Sequence, residues 1–315
     1  AAQIEGDFDF ILLCGVEDMV DLKSVMDSIR PNCRRETRLI VCYYNYLWQP
    51  LVTLAEKCHL RLPQQVHNWF SGNDINNIME HADFDPIQIK HLVLWPFNIP
   101  GISYLLNRFC ARLPGLRHLT MIRVAVARPE PEPMQNASVS IVIPCRNEEG
   151  NMLDAVERIP EFGGHAEIIF CDDKSTDGTA GKVREIQQKY PEKDIKLVNG
   201  PGICKADNVW TGFDAASCDI LMILDADLTV IPEELPYFYE AIVKGRGEFI
   251  NGSRLVYPMH DDAMRICNII GNKFFSLLFT YILDTPIKDT LCGTKVVRRS
   301  DFARIKAIRG SWGVK

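Results

Sequence analysis

Two aspartates separated by one residue follow a strongly apolar run in the second half of the chain. The run is Leu221-Met222-Ile223-Leu224, and Asp225 and Asp227 come directly after it. Because side chains of an extended segment alternate between its two sides, Asp225 and Asp227 project to the same side. Two such carboxylates can share one divalent ion, and their hard oxygens favour Mg²⁺ or Mn²⁺. An ordinary surface turn is the structural alternative for an Asp-x-Asp pair.

The position of this pair, at the end of a buried strand, favours a ligand site. In open α/β sheets, ligands bind beside the carboxyl ends of the strands. A cation held there by Asp225 and Asp227 could bridge a diphosphate and neutralise the charge that develops on a departing nucleotide. The chain has neither the dinucleotide turn G-x-G-x-x-G nor the Walker sequence G-x-x-x-x-G-K-[ST], so other groups must hold the phosphates.

Strands that alternate with helices must position these aspartates. A β-branched run at 139–144 predicts a buried parallel strand, residues 152–158 a helix, and residues 167–171 the next strand. The loop 172–179 then leads into a helix in which Ala180, Val183, Ile186 and Tyr190 recur at helical spacing. Ser175 or Asp177 is its expected N-cap. This order indicates a nucleotide-binding α/β unit.

Five motifs in this half resemble those of family 2 nucleotide-sugar glycosyltransferases of the GT-A fold. They are Ile143-Pro144-Cys145-Arg146-Asn147-Glu148-Glu149, Asp172-Asp173-Lys174-Ser175-Thr176-Asp177-Gly178-Thr179, Gly202-Ile203-Cys204-Lys205-Ala206, Asp225-Ala226-Asp227 and Asn251-Gly252-Ser253-Arg254. The resemblance runs from Val139 to about Ile308. It implies an α/β domain of GT-A type, a nucleotide-sugar donor and a Mg²⁺ or Mn²⁺ cofactor.

The resemblance also implies which residues would hold the donor. The expected nucleotide-sugar ligands are Pro144, Arg146, Glu148, Asp172, Lys205, Asp225 and Arg254. Among them, Asp172 would accept a hydrogen bond from the base, while Lys205 and Arg254 would face phosphates. A solvated lysine and a surface ion pair are the structural alternatives for those two cations.

Asp225 and Asp227 would hold the ribose and the metal and count as catalytic residues. One departure from the family lies close by. Members that act on lipid phosphates often carry Gln two residues after the last Asp of the metal motif, where this chain has Thr229. A threonine hydroxyl, or a water bound to it, can still complete a coordination shell.

Two further stretches, 271–276 and 289–295, resemble the branch that glycosylates polyprenyl or dolichyl phosphate. A phosphate monoester, with a second pKa near 6, is largely a dianion at neutral pH and attacks the sugar without a general base. In-line attack, with the nucleoside diphosphate leaving from the opposite face, implies inversion. Asp289 would be the catalytic base if the acceptor were a sugar hydroxyl. Otherwise Asp289 would orient its loop or the neighbouring cations.

A lipid acceptor would agree with the composition of the C-terminal region. Residues 274–283 are apolar except for Ser276 and Thr280, and residues 288–315 carry eight basic residues against Asp289 and Asp301. The apolar run could lie on a membrane or cover a lipid groove, with a core helix as the alternative. The basic tail could contact phosphates or anionic lipid, with a solvated face as the alternative.

The first part of the chain is expected to be a separate unit. Alternating prolines at 129, 131 and 133 break both helix and strand, which predicts a linker over 129–137 between a domain at 1–128 and one at 138–315. Residues 8–18, Tyr44-Asn45-Tyr46-Leu47-Trp48 and Asn68-Trp69-Phe70 resemble the C-terminal half of a class I S-adenosylmethionine-dependent methyltransferase.

That resemblance implies a partial Rossmann-like sheet. The family's glycine-rich turn and acidic cofactor residue would lie before residue 1, so S-adenosylmethionine is not expected to bind this chain. A packing remnant without activity is the favoured interpretation of residues 1–128. The second domain is likewise expected to be incomplete at its C-terminus.

Composition bounds the remaining possibilities. The 315 residues are 47% hydrophobic and 24% charged, which excludes a disordered or low-complexity chain. Eleven cysteines without a C-x-x-C pair fit neither a zinc ribbon nor a disulfide framework, so a reducing cytoplasm is expected. No apolar stretch is long enough to span a bilayer and no signal peptide opens the chain. The net charge is −6, and a nucleic-acid partner is not expected.

The sequence thus predicts an inverting, metal-dependent glycosyltransferase that transfers a sugar from a nucleotide sugar to polyprenyl phosphate or a related acceptor. It is expected in the cytoplasm, with peripheral membrane contact left open. Two alternatives remain: methyltransferase activity of a longer parent protein, and a non-catalytic nucleotide-sugar-binding fragment.

Overall fold

The computed structural model describes residues 8–60, 68–113, 115–252, 266–283 and 292–311, together with Gly6, Leu62 and Ile287. Within these residues the chain forms two compact units that divide near Pro131, with the end of one later helix, from Phe279, belonging to the first unit. Each unit has its own mixed sheet and its own hydrophobic core. The α/β class expected from the sequence is confirmed.

The first unit contains a four-stranded sheet. Its strands are β1 (Phe10–Leu13), β2 (Arg38–Tyr44), β3 (Phe84–Leu92) and β4 (Ile122–Pro129), and its helices are α1 (Leu22–Ile29), α2 (Gln49–Lys57), α3 (Gly72–Glu80) and α4 (Ile102–Arg108). The sheet order is β1-β2-β4-β3. β1 and β2 are parallel, whereas β4 runs antiparallel to both β2 and β3. The helices α1 and α3 cover one face through Met26, Ile29, Ile75 and Met79, all fully buried.

The second unit contains a six-stranded sheet. Its strands are β5 (Val139–Cys145), β6 (Ala166–Asp172), β7 (Asp194–Asn199), β8 (Ile220–Ile223), β9 (Phe249–Asn251) and β10 (Lys295–Arg298). Its helices are α5 (Met152–Arg158), α6 (Thr179–Lys189), α7 (Lys205–Ala215), α8 (Leu235–Val243), α9 (Ile266–Leu283) and α10 (Arg299–Ser311). The order is β7-β6-β5-β8-β10-β9, with β5 to β8 parallel and β10 antiparallel to both neighbours.

Every residue of β5 is buried, as the β-branched run predicts. Successive side chains point to opposite faces of the sheet, so this strand contributes to two cores. Ile141 and Ile143 belong to the core that α5 and α6 cover, and Val142 belongs to the core that α7 covers. With helices on both faces, ligands have access chiefly at the strand ends.

Local signals in the sequence set most of these boundaries, with one exception. The helix after β6 begins at Thr179, so Gly178, rather than Ser175 or Asp177, is its N-cap residue. The Asp177 carboxylate nevertheless accepts a hydrogen bond from the Thr179 backbone N–H at 3.0 Å, and so satisfies the first free donor of the helix. The predicted helix at 152–158 is confirmed as α5.

Candidate functional site

A cavity of about 340 Å³ opens at the carboxyl edge of the second sheet. Its walls come from the end of β5 and the loop after it, the residue after β6, the start of α7 and the loop after β8. The lining residues are Pro144, Cys145, Arg146, Glu148, Asp173, Cys204, Lys205, Asn208, Asp225, Ala226 and Asp227. Because the carboxyl ends of parallel strands share one edge, motifs far apart in sequence meet here.

Six of the residues singled out in the sequence line this one cavity. They are Pro144, Arg146, Glu148, Lys205, Asp225 and Asp227. Two cations, Arg146 and Lys205, and three carboxylates, Glu148, Asp225 and Asp227, therefore face a common space. Such a mixture can hold both the anionic and the hydrogen-bonding parts of one ligand.

The loops after β5 and β6 are joined by hydrogen bonds. The Asn147 backbone N–H donates to the Ser175 hydroxyl at 2.9 Å, and the Thr176 N–H donates to the Asn147 side-chain oxygen at 2.8 Å. The Glu148 N–H donates to the Thr179 hydroxyl at 3.0 Å. Polar residues of these two motifs therefore fix the loop that carries Arg146 and Glu148.

Three loops that border the cavity each contain one non-glycine residue in the left-handed region. These are Asn147 (φ 57°), Lys174 (φ 60°) and Leu228 (φ 53°), which follow β5, β6 and β8 respectively. Backbone of this kind is sparsely populated and persists where surrounding contacts hold it. Each strand end is thus followed by a tight, specified turn, which keeps the side chains at the cavity in place.

Asp225 is largely buried, and its Oδ1 atom is held by an ion pair with Lys205. Its side chain is 13% exposed, and the buried Oδ1 atom has no hydrogen-bond partner in the part of the chain that the structure describes. The Lys205 ammonium lies 2.7 Å from Oδ1 as an ion pair, without hydrogen-bond alignment. Asp227 lies at the same cavity, and its Oδ1 accepts from the Thr229 N–H at 3.1 Å.

These two carboxylates fit a hard divalent cation. A largely buried carboxylate that pairs with Lys205 and shares a cavity with a second carboxylate offers the hard oxygen ligands that Mg²⁺ or Mn²⁺ prefers. Among the described residues, no group of three or more His, Cys, Asp or Glu side chains could bind a metal. Asp225 and Asp227 would hold such an ion, and Thr229 does not line the cavity.

Gly293 packs directly against Asp225. A methyl group added to Gly293 would lie 1.8 Å from Asp225 Oδ2, so Gly293→Ala must move the carboxylate. We expect it to lower the affinity for Mn²⁺ by about tenfold or more, as is typical when a partner that positions a metal ligand is lost. Isothermal titration calorimetry with MnCl₂ measures this affinity.

The matched control is Gly181→Ala on α6, where an added methyl meets no atom within 4 Å. It should leave Mn²⁺ affinity unchanged and stabilise the helix by up to about 1 kcal/mol. Equal Mn²⁺ affinities for Gly293→Ala and the unmodified chain would contradict the assignment of Asp225 as a ligand.

Asp172, the expected partner of the base, is not among the residues that line the cavity. As the last residue of β6 it accepts from the Ser175 backbone N–H at 3.2 Å, which turns its carboxylate toward its own loop. The next residue, Asp173, lines the cavity instead. It is buried and accepts from the Gly202 N–H at 2.6 Å, and the left-handed φ of 71° at Gly202 allows that approach.

Two predicted site residues, Arg254 and Asp289, lie outside the described residues. Their roles toward phosphate and acceptor therefore stay predictions. The neighbouring motif residues Asn251 and Gly252 are described, and the Gly252 N–H donates to the Thr294 carbonyl at 2.9 Å.

The sequence analysis missed Cys145, Cys204 and Asn208 at this cavity. Cys204 and Asn208 are four residues apart at the start of α7, so helical spacing from Lys205 would have indicated a shared face. Asn208 donates to the Cys171 carbonyl at 2.8 Å and is almost fully buried. It anchors the start of α7 to the end of β6.

Cys145 is not a thiolate nucleophile. Burial, with a further contribution from the negative charge of Asp172, raises its pKa to about 12. Its Sγ instead donates to the Cys171 carbonyl at 3.4 Å. A neutral, buried thiol is a poor nucleophile, so Cys145 is not a candidate for a covalent intermediate.

The apolar run at 274–283 forms the last part of α9, and most of its described side chains are exposed. Ser276 is the exception; it is buried and its hydroxyl donates to the Ile287 carbonyl. A helix with so many exposed apolar side chains does not have the environment of a core helix. Among the described residues, no helix has the length and apolar character needed to span a membrane.

The described cations of the C-terminal tail contact other parts of the second unit. Arg299 donates to the Ser217 carbonyl at 2.9 Å, and Lys306 forms an ion pair with Asp214 at 2.6 Å. Lys295 donates to the Asn251 side chain at 3.1 Å. These contacts give the basic residues structural partners and weaken the interpretation of the tail as an open phosphate-binding patch.

Comparison with known proteins gives partial matches. A dolichol-phosphate mannosyltransferase from Pyrococcus furiosus is 39% identical to this chain over 120 residues, which is 38% of this chain and 33% of the relative. An undecaprenyl-phosphate 4-deoxy-4-formamido-L-arabinose transferase from Aeromonas hydrophila is 31% identical over 111 residues, which is 34% of each chain. This chain spans about a third of the length of these curated relatives.

Among solved structures, one match is the mannosyltransferase PcManGT from Pyrobaculum calidifontis in complex with GDP-Man and Mn²⁺. It is 24% identical in sequence, its TM-score is 0.35, and the match covers 39% of this chain and 37% of that one. At that score the likeness gives no information on the ligands of this chain. The family model described as "Glycosyl transferase family 2" matches residues 140–306, which is more than half of the chain and includes every residue that lines the cavity. The chain therefore belongs to glycosyl transferase family 2.

Proposed function

We propose that the second unit catalyses the metal-dependent transfer of a sugar from a nucleotide sugar to a polyprenyl phosphate. One observation carries the proposal: the motifs that the sequence separates meet at one cavity, where Asp225 and Asp227 lie beside Lys205 and Arg146. The names of the relatives from Pyrococcus furiosus and Aeromonas hydrophila support a lipid-phosphate acceptor.

The residues of the cavity divide into two groups by position. Pro144 lies near the end of β5, Arg146 and Glu148 follow the strand, and all three would flank the nucleoside. Buried Asp173, which lines the cavity where Asp172 does not, would accept a hydrogen bond from the base. Lys205 would place a positive charge beside the pyrophosphate. A Mg²⁺ or Mn²⁺ ion held by Asp225 and Asp227 would supply further positive charge to the departing nucleoside diphosphate.

The acceptor determines whether a base is needed. A polyprenyl phosphate is already ionised at neutral pH, so none of the described residues has to remove a proton from it. Direct attack by its oxygen on the anomeric carbon breaks the bond to the nucleoside diphosphate on the opposite face and inverts the configuration. Asp289 would act as a base only toward a hydroxyl acceptor.

The donor is tested by thermal unfolding with a panel of nucleotide sugars, with and without Mn²⁺. A ligand that binds only the folded state at 100 times its Kd stabilises it by about 2.7 kcal/mol. We expect such a shift for at least one nucleotide sugar, and only when Mn²⁺ is present. The absence of a shift from any nucleotide sugar would contradict the proposal.

The acceptor is tested with the donor identified in that way. Short-chain polyprenyl phosphate should become glycosylated, whereas the corresponding polyprenol should not, because the alcohol needs a base to lose its proton. NMR of the product reports the anomeric configuration, which should be inverted. Binding of the donor with neither transfer nor hydrolysis would instead favour a non-catalytic nucleotide-sugar-binding fragment.

The second candidate function, methyl transfer, concerns a cavity in the first unit. The loop that resembles the cofactor border of methyltransferases contributes Cys14, Gly15, Glu17 and Asp18 to a cavity of about 260 Å³. Glu17, its buried carboxylate, already accepts a hydrogen bond from the Tyr44 backbone N–H. We therefore expect no heat on titration with S-adenosylmethionine, and micromolar binding would overturn that expectation.

A position at the membrane surface would bring the lipid acceptor to the site. The exposed apolar side chains in the last part of α9 support peripheral contact, and they include Phe274 and Leu277. A cytoplasmic enzyme that binds the membrane surface through this helix would have access to polyprenyl phosphate in the bilayer. This contact is part of the proposal for the second unit.

A further inference from the structure

The segment between β3 and β4 of the first unit, residues 93–121, exposes an unusual amount of apolar surface. Its exposed large apolar residues are Trp95, Phe97, Ile99, Ile102, Tyr104, Leu105, Phe109, Leu113, Leu116 and Leu119. Among its described residues only Ala111 and Thr120 are buried. Concentrated apolar exposure of this kind marks a surface that contacts another apolar phase.

The apolar side chains are held outward by an ordered backbone. The Asn107 side chain forms two hydrogen bonds with the Trp95 backbone. The Trp95 N–H donates to Asn107 Oδ1 at 2.8 Å, and Asn107 Nδ2 donates to the Trp95 carbonyl at 2.9 Å. The Ser103 hydroxyl donates to the Phe97 carbonyl at 2.6 Å and receives the Ile99 N–H at 2.7 Å. The segment therefore satisfies its own polar groups locally, as an interfacial segment requires.

The base of the segment is fixed to the first sheet. The Asn45 side-chain amide donates to the carbonyls of His118 and Thr120, each at 2.8 Å, and the Trp48 indole N–H donates to the Leu119 carbonyl at 2.8 Å. These residues belong to the 44–48 motif, which the proposed glycosyltransferase does not use. Their contacts show that the segment is an anchored part of the unit.

The charge of this region has one sign. Between Asp85 and Glu130 the sequence has no acidic residue. Lys90, Arg112 and Arg117, with His91, line a cavity of about 140 Å³. None of these three cations forms an ion pair with a described residue, whereas buried Arg128 pairs with Asp85 at 2.8 Å.

We propose that residues 93–121 form a membrane-binding surface, with the phosphate of an anionic lipid held in the basic cavity of Lys90, His91, Arg112 and Arg117. Apolar and aromatic side chains beside unpaired cations are complementary to a bilayer surface that carries negative charge. The partner is a lipid bilayer because the cavity supplies the charge and the segment supplies the apolar contact. The proposal does not depend on the glycosyltransferase proposal, since no residue of the second unit's cavity takes part.

The test is sedimentation of the full chain with vesicles of phosphatidylcholine alone, or with 30% phosphatidylserine. We expect binding to the anionic vesicles, at least tenfold tighter than to neutral ones. Each basic residue near an anionic surface contributes about 1 kcal/mol, so Arg112→Gln with Arg117→Gln should weaken that binding about 30-fold. Trp95→Ser with Phe97→Ser should weaken binding to both kinds of vesicle.

The matched control replaces two exposed arginines of the second unit, Arg184→Gln with Arg246→Gln, which removes the same charge and should change binding less than twofold. Inorganic phosphate at 10 mM should not displace the chain from anionic vesicles. Displacement by phosphate would identify a free-anion site and overturn the proposal.

Two further outcomes would also overturn it. The first is that the unmodified chain stays in the supernatant with anionic vesicles. The second is that the variants in 93–121 bind vesicles as tightly as the unmodified chain, a result that would assign membrane binding to α9. Sedimentation velocity without lipid separates a third case, in which this surface joins two copies of the chain. Unchanged nucleotide-sugar binding by the variants keeps the two proposals distinguishable.

Discussion

Asp227→Asn is expected to abolish the Mn²⁺-dependent thermal shift by the nucleotide sugar and to lower the transfer rate by about 100-fold or more, the range observed when a group that stabilises developing charge is removed. The substitution keeps the shape of the side chain and removes its charge. The Thr229 N–H can still donate to the remaining amide oxygen, so the turn should fold unchanged. Calorimetry with MnCl₂ provides a readout that is separate from activity.

The control for this prediction is Asp154→Asn on α5, an exposed carboxylate that does not line the cavity. It should retain Mn²⁺ affinity, donor binding and transfer. If Asp227→Asn bound Mn²⁺ and transferred sugar as well as Asp154→Asn did, the metal assignment would be wrong. A lowered Tm without ligand would show that the variant had lost structure instead.

Glu167→Ala is expected to destabilise the second unit by about 3 kcal/mol. Glu167 is fully buried on β6 and accepts hydrogen bonds from Lys196, the Ser140 hydroxyl and the backbone N–H of Ser217, the last at 2.7 Å. Its loss removes an acceptor of two buried donors, the Ser140 hydroxyl and the Cys218 N–H, and each unpaired buried donor costs about 1–3 kcal/mol. Urea unfolding followed by circular dichroism measures the change.

Glu185→Ala is the matched control, because Glu185 is 70% exposed and its one ion pair with a described residue is that with Lys182 at 3.1 Å. Exposed pairs contribute about 0–1 kcal/mol, so this variant should unfold close to the unmodified chain. Equal destabilisation by the two variants would show that the buried network contributes nothing beyond a surface ion pair.

The same carboxylate makes stability depend on pH. Burial alone would raise the pKa of Glu167, but the hydrogen bonds from Lys196, Ser140 and Ser217 outweigh it and lower the pKa from 4.5 to about 2. Because the folded pKa is depressed, this contribution is complete above pH 4.5 and is lost as the pH falls toward 2. The difference corresponds to roughly 3 kcal/mol.

Glu167→Gln tests this dependence, since glutamine keeps the shape but cannot titrate. The difference in unfolding free energy between the unmodified chain and Glu167→Gln should shrink between pH 4.5 and pH 2.5. A difference that stays constant over that range would contradict the depressed pKa.

The sequence was sufficient to predict the elements that carry the site. Its apolar run before Asp225 and its β-branched run at 139–144 specify buried strands, because a strand covered on both faces needs apolar residues at nearly every position. The helix at 152–158 was predicted within its observed boundaries. Family membership could likewise be inferred, since five motifs occur in the family's order.

The sequence could not predict which of two adjacent aspartates lines the cavity. Asp172 and Asp173 differ only in position along the chain, and the backbone conformation at the end of β6 decides which of them turns into the cavity. The close contact of Gly293 with Asp225 was equally hidden, because it joins residues that are distant in sequence.

The apolar segment of the first unit shows the same division. Hydrophobic side chains between β3 and β4 would ordinarily indicate a core, and only tertiary structure decides that they remain exposed. The sequence by itself therefore determined the strands, the helices and the chemical groups of this protein, because these depend on local pattern. Tertiary structure decided which groups meet and which surfaces stay uncovered, because both depend on contacts between segments far apart in the chain.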